Sequence, residues 1–168
     1  MILSVSLAGD GCARASGPST PRVTGASRAF DVPYERVWDA AMQTVIALEY
    51  RPVFVQAPRG LLVAERDDDP SAIRTFTDAP IGALDQRWWS LQTRLLITCR
   101  SVEPGRTLVQ VHSSLMARAS PVGMSRRRTA DLVPLDSNGT PERRWLDTLD
   151  ALLSGRWPDV ATWTAKPS

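Results

Sequence analysis

The chain has 168 residues, 43% of them apolar and 23% charged, with 20 basic residues against 18 acidic ones. That is the balance of one folded domain with tails; it excludes a disordered chain and argues against a nucleic-acid partner. No run reaches the ~18–20 consecutive apolar residues that a membrane-spanning helix needs. Two cysteines and a single histidine leave little for a protein-only metal site or a histidine-based triad, so no cofactor is expected.

The chain opens with Met1-Ile2-Leu3-Ser4-Val5-Ser6-Leu7-Ala8-Gly9-Asp10-Gly11-Cys12, small or apolar up to the cysteine but for Ser4, Ser6 and Asp10. A tether follows, Ala-Arg-Ala-Ser-Gly-Pro-Ser-Thr-Pro-Arg, with almost nothing to bury. A short apolar segment, a cysteine and a flexible tail together resemble a bacterial lipoprotein signal. The resemblance implies that Cys12 is lipidated and holds the domain at a membrane surface without spanning it. Because Ala13, not aspartate, follows Cys12, it also implies the outer membrane, facing the periplasm. The other reading of the segment is a tail with an incidental cysteine. Cys99 alternates with polar neighbours on the apolar side of a strand and is expected in the core.

Residues 22–32 read as a first strand. Pro33 and Glu35 open a helix over Tyr34 to Tyr50, since proline suits the first helical position and an acid complements the helix N-terminus. Val37, Ala41, Val45 and Leu48 form its apolar stripe, widened by Trp38, Met42 and Ile46. Val53–Ala57, the turn Pro58-Arg59-Gly60 and Leu61–Arg66 make a hairpin. Residues 67–86 lack a period, and Asp67-Asp68-Asp69 is expected to be a solvated loop rather than a cation site. Trp89, Leu91, Thr93, Leu95, Ile97 and Cys99 then alternate with a polar set. After Glu103-Pro104-Gly105, Val109, Val111, Ser113 and Leu115 do the same. Period two with one apolar face predicts an antiparallel hairpin covered on one side. Residues 118–140 read as loop. A second helix starts with Thr140 as N-cap and Pro141 at N1, and ends at Gly155.

The expected fold is α+β, an antiparallel sheet of four to five strands with two helices on one face, in the order β-α-β-β-β-β-α. The signal-like segment and tether take residues 1–21, a single domain 22–155, and a C-terminal tail 156–168. Phe30-Asp31-Val32-Pro33-Tyr34-Glu35-Arg36-Val37-Trp38-Asp39-Ala40, followed later by Gly60-Leu61-Leu62, resembles small Gram-negative envelope lipoproteins with the BamC-like fold. That resemblance covers about residues 23 to 66 and implies a non-catalytic interaction or scaffolding module whose partners are envelope proteins. The same helix start is similar to helix-grip proteins of the START type, which implies instead an apolar ligand held between sheet and helix by Trp38, Val45 and Leu95.

No phosphate-binding loop, nucleophile elbow, paired-cysteine motif or zinc-protease motif occurs. His112 falls on the polar side of its strand without a positioned partner nearby in sequence, so no catalytic residue is expected. The candidate interaction surface consists of Trp88, placed on the non-apolar side of its strand, and the run Arg126-Arg127-Arg128, which suits an anionic surface.

Overall fold

Two long strands, β4 (Gln86–Glu103) and β5 (Arg106–Pro121), form the spine of the sheet, joined by a turn in which Gly105 takes a φ of +78°. The computed structural model describes residues 24–78, 86–121 and 131–156. Alternation decides which face is covered: Leu91, Thr93, Leu95, Ile97 and Cys99 of β4 are buried with Val109, Val111, Ser113 and Leu115 of β5. β1 (Thr24–Phe30) and β6 (Asp131–Leu135) pair end to end along the far edge of β5. On the other side β3 (Leu61–Asp68) pairs with β4, and β2 (Arg51–Gln56) pairs with β3 and ends the sheet. Every pairing is antiparallel.

Helices α1 (Tyr34–Ala47) and α3 (Thr140–Leu153) pack together on the apolar face. Their stripes, Val37, Ala41 and Val45 from one and Trp145, Leu146 and Leu149 from the other, close over Leu62, Leu95, Ile97, Val109 and Val111 in one cluster. Each valine, leucine or isoleucine among them contributes about 1.5–3 kcal/mol when fully withdrawn from water. Val45 and Leu95 have no accessible surface and Trp38 packs against the same cluster. The space between α1 and the sheet, where an apolar ligand would sit, is occupied there by core side chains.

A second cluster, Ile73, Phe76, Leu91, Leu115 and Ala117, fills the other end of the hairpin under α2 (Ala72–Phe76). This end corrects the sequence reading: among the described residues the sheet has six strands rather than four to five, and three α-helices accompany it rather than two. The stretch 118–140, read as loop, holds the end of β5 and all of β6. Its strands lack a pattern because the buried residues at the end of β5 are the small Ala119 and Ser120, and because β6 contains Pro134, tolerable only on an outer strand.

The start of α3 shifts by one residue. Gly139, at φ +81°, is the N-cap and Thr140 the first helical residue. Side chains just outside the helix do the capping: Ser137 Oγ accepts from the Gly139 N–H at 3.1 Å and Asn138 Oδ1 from the Thr140 N–H at 3.0 Å. Glu142, fully buried in the first turn, accepts hydrogen bonds from Ser113 Oγ (2.6 Å) and Ser137 Oγ (3.0 Å), tying α3 to the centre of β5. The positive end of the helix favours a carboxylate at this depth.

Cys99 lies in the core, as expected, and burial pushes its thiol up to about 12 from 9.0. Burial also raises the Tyr50 hydroxyl from 10.0 to about 12, against the lowering effect of Arg66. Both groups hold their protons to higher pH folded than unfolded. Their contribution is therefore complete below the unfolded values and is lost as pH rises from about 9 toward 12, at up to ~1.4 kcal/mol per pH unit for each group. Urea midpoints measured upward from neutral pH should fall over this range, and less steeply in Cys99→Ala and Tyr50→Phe. Identical slopes in all three proteins would refute the assignment.

Candidate functional site

The helices leave one face of the sheet open, and strand register organises it into rows. Phe54 stands opposite Val63, Val63 opposite Leu96, Leu96 opposite His112, and His112 opposite Gly25. These five residues from five strands form a continuous, mostly apolar band across the helix-free face. Phe54 is 47% and Leu96 39% exposed, values that matter because neither belongs to the core. Val63 and His112 are half-buried by their neighbours. Cross-strand pairs of this kind lie within about 4.5–5.5 Å and pack on one another.

The histidine ring depends on Gly25. A Cβ at that position would overlap the imidazole, so the missing side chain is what lets the ring pack against β1. The buried Nδ1 of His112 has no hydrogen-bond partner among the described residues. Nothing there orients the ring as a general base would require, so the contact is one of packing.

Polar rows border the band. On one side Arg51, Glu65, Arg94 and Ser114 stand in register. Glu65, only 11% exposed at its side chain, receives Arg94 through two guanidinium nitrogens and Arg51 at 3.6 Å. With Arg94 60% and Arg51 75% exposed, these pairs are solvent-screened and contribute order more than stability. On the other side lie Gln56, Leu61, Thr98, Gln110 and Ser27. An apolar centre with a polar rim is the ordinary anatomy of a protein-binding patch.

A second feature is an open cleft of about 510 Å³ at the end of β3, bounded by Glu49, Arg66, Asp67, Asp69 and Arg144. Arg66 is committed within the fold. It donates to the Leu48 carbonyl (2.8 Å), pairs with Asp68 (2.8 Å) and stacks over the Tyr50 ring at 4.7 Å. Asp68 also accepts from Thr93 Oγ1 at 3.1 Å. Burial and the Arg66 charge hold Arg144 below its usual value, and backbone and side-chain bonds from Ser71 hold Asp69 below its own. The triple aspartate is thus not a solvated loop throughout: Asp67 and Asp68 belong to β3, and Asp68 is half-buried and paired with Arg66. No group of three metal-ligating side chains occurs among the described residues.

Of the residues singled out in the sequence, Cys12 and Arg126, Arg127 and Arg128 lie outside the described residues. Trp88 lies elsewhere than the alternation placed it. A bulge between Trp88 and Ser90 shifts the register, so Trp88 pairs with Ala119 and packs, half-buried, against the Ile73–Phe76 cluster. It is therefore not part of the open face. Trp89 instead donates from Nε1 to Ser120 Oγ at 2.8 Å. Sequence reasoning missed Phe54 and Val63, which sit in continuous apolar runs that do not tell one face from the other, and Leu96, a single apolar residue between Arg94 and Thr98 on its face. Only the register between strands shows that they are neighbours.

No family model matches the chain, and no curated protein does. Among solved structures, a DUF4468 family protein from Bacteroides ovatus is similar at 15% identity, over 89% of this chain and 91% of that one, with a TM-score of 0.38.

Proposed function

We propose that the protein is a non-catalytic interaction module of the cell envelope, anchored through a lipid on Cys12 and engaging an envelope protein with the helix-free face of its sheet. The observation that carries this reading is the band Phe54-Val63-Leu96-His112-Gly25, apolar at its centre and rimmed by polar rows. The full burial of Val45 and Leu95 weighs against the ligand-binding alternative, because that reading needs open space beside them. The BamC-like resemblance and the sequence around Cys12 support the envelope assignment. No helix among the described residues is long and apolar enough to cross a membrane, so attachment in this reading falls to the acyl group, with a second contribution to stable anchoring from the bound partner.

Expressed from its own gene, the Cys12→Ser variant should move from the membrane to the soluble fraction; unchanged partitioning would overturn the anchor. Leu96→Glu places a charge at the centre of the band on an already exposed position. It should leave the melting temperature within a few degrees while abolishing cross-linking from Val63 to its envelope partner. Undiminished cross-linking would remove the band as the binding site.

A further inference from the structure

We propose that the protein surface received by the helix-free face is acidic, with carboxylates meeting Arg100 and Arg118, one on each side of the apolar band. This rests on the reading of that face as the binding surface and names the chemistry it takes. Along β4 from Ser90 to Arg100, with the residues in register beside it, the charged side chains of the face are Arg51, Glu65, Asp67, Arg94, Arg100 and Arg118. Four arginines stand against two carboxylates, and Glu65 is already bound between Arg51 and Arg94. The opposite layer has the other sign: α1 and α3 together carry five carboxylates and three arginines. In a chain with 20 basic and 18 acidic residues, the fold sorts charge between the two faces of the sheet.

Arg100 lies four residues beyond Leu96 on β4, and Arg118, opposite Ser90, lies at a level six residues before it. At about 3.3 Å per residue, the two positions stand about 13 and 20 Å from the centre of the band along the strands. Both arginines are exposed, and neither forms an ion pair or hydrogen bond among the described residues. Their cross-strand neighbours are apolar: Leu108 beside Arg100 and Leu132 beside Arg118. An arginine so placed rests its stem on apolar surface and offers its planar fork of donors to a carboxylate. Arg94 does this on the same face, binding Glu65 through two nitrogens. A protein surface with carboxylates about 33 Å apart and apolar side chains between them complements both the band and its flanks. A bilayer complements them less well. Anionic lipid is held by dense clusters of about four to eight basic residues, whereas Arg100 and Arg118 are far apart and share the face with Glu65 and Asp67.

The test is photo-cross-linking from Val63 in the full chain, expressed from its own gene. The adduct should be a protein, and mass spectrometry should find acidic residues flanking the cross-linked segment. Arg100→Glu combined with Arg118→Glu should cut the yield about tenfold or more, and lysine at both positions should keep about half of it or more. Arg36→Glu, a reversal of equal size on the exposed side of α1, should leave the yield unchanged. Melting temperatures within a few degrees of the parent would show that these variants fold. Purified Cys12→Ser protein should not float with vesicles of phosphatidylethanolamine and phosphatidylglycerol. Cross-linking that Leu96→Glu abolishes but the double arginine reversal leaves intact would overturn the acidic partner and keep the band as a binding site. Equal loss from Arg36→Glu, a cross-linked segment without acidic residues, or vesicle flotation that the arginine reversal removes would also overturn it. Cross-linking that is absent, or indifferent to Leu96→Glu, would remove the band itself and the acidic partner with it.

Discussion

Trp145→Ala is expected to lower the unfolding free energy by about 3–5 kcal/mol, a large part of the ~5–15 kcal/mol typical of a domain. Trp145 has no accessible surface and is the largest fully buried side chain, at the point where α3 meets both α1 and the sheet. Truncation removes its transfer free energy and opens a cavity that α1 and the strands cannot close without breaking their own contacts. The indole also brings a cost, since its buried Nε1 has no hydrogen-bond partner among the described residues. A buried donor left unsatisfied costs about 1–3 kcal/mol. Trp145→Phe discards that donor and keeps most of the ring, so it should cost less than half as much as Trp145→Ala in urea unfolding. Equal losses for the two variants would show that the indole N–H is satisfied and the reasoning wrong.

Gly60→Ala should cost about 3 kcal/mol or more, for a single added methyl group. Gly60 follows the 3-10 turn Ala57–Arg59 at φ +62°, a left-handed conformation that disfavours any Cβ. Its N–H donates to Ala57 O at 2.9 Å and its carbonyl accepts from the Cys99 N–H at 2.8 Å. An added Cβ would overlap the Cys99 carbonyl oxygen, which is backbone of a central strand and cannot step aside. β3 and β4 would have to separate where their pairing begins. Gly105 is the internal control, at φ +78° but with nothing within 4 Å of the point a methyl group would occupy. Gly105→Ala should cost only the conformational term, about 1–2 kcal/mol. If thermal or urea unfolding finds the two substitutions equivalent, the Cys99 contact is not what constrains Gly60.

Local chemistry makes much of the frame legible in the sequence. The stripe on α1, the period-two runs of β4 and β5 and the Pro58-Arg59-Gly60 turn are each set by neighbours within one segment, and each appears where the pattern put it. Cys99 followed from the same alternation. The failures share a cause. β6 has no pattern of its own, α2 is only five residues long, and the bulge at Trp88–Ser90 reverses an alternation that otherwise continues. These features are stabilised by partners distant in the chain: Leu115 and Ala117 for β6, and Asn138, whose N–H and side-chain amide bond Phe76 O (2.9 Å) and Thr75 O (3.0 Å), for α2.

The candidate site divides in the same way. By itself the sequence determined the class of fold, which strand faces are buried, and the motif around Cys12 on which the envelope reading rests. Tertiary structure alone decided that Phe54, Val63, Leu96 and His112 form one band, that Trp88 turns inward, and that β2 is left at an edge. Periodicity along a strand is a local property, fixed by the pleat of the backbone. Alignment across strands depends on turn lengths, bulges and the packing of both faces together, and a one-residue slip would have scattered the band over both sides of the sheet.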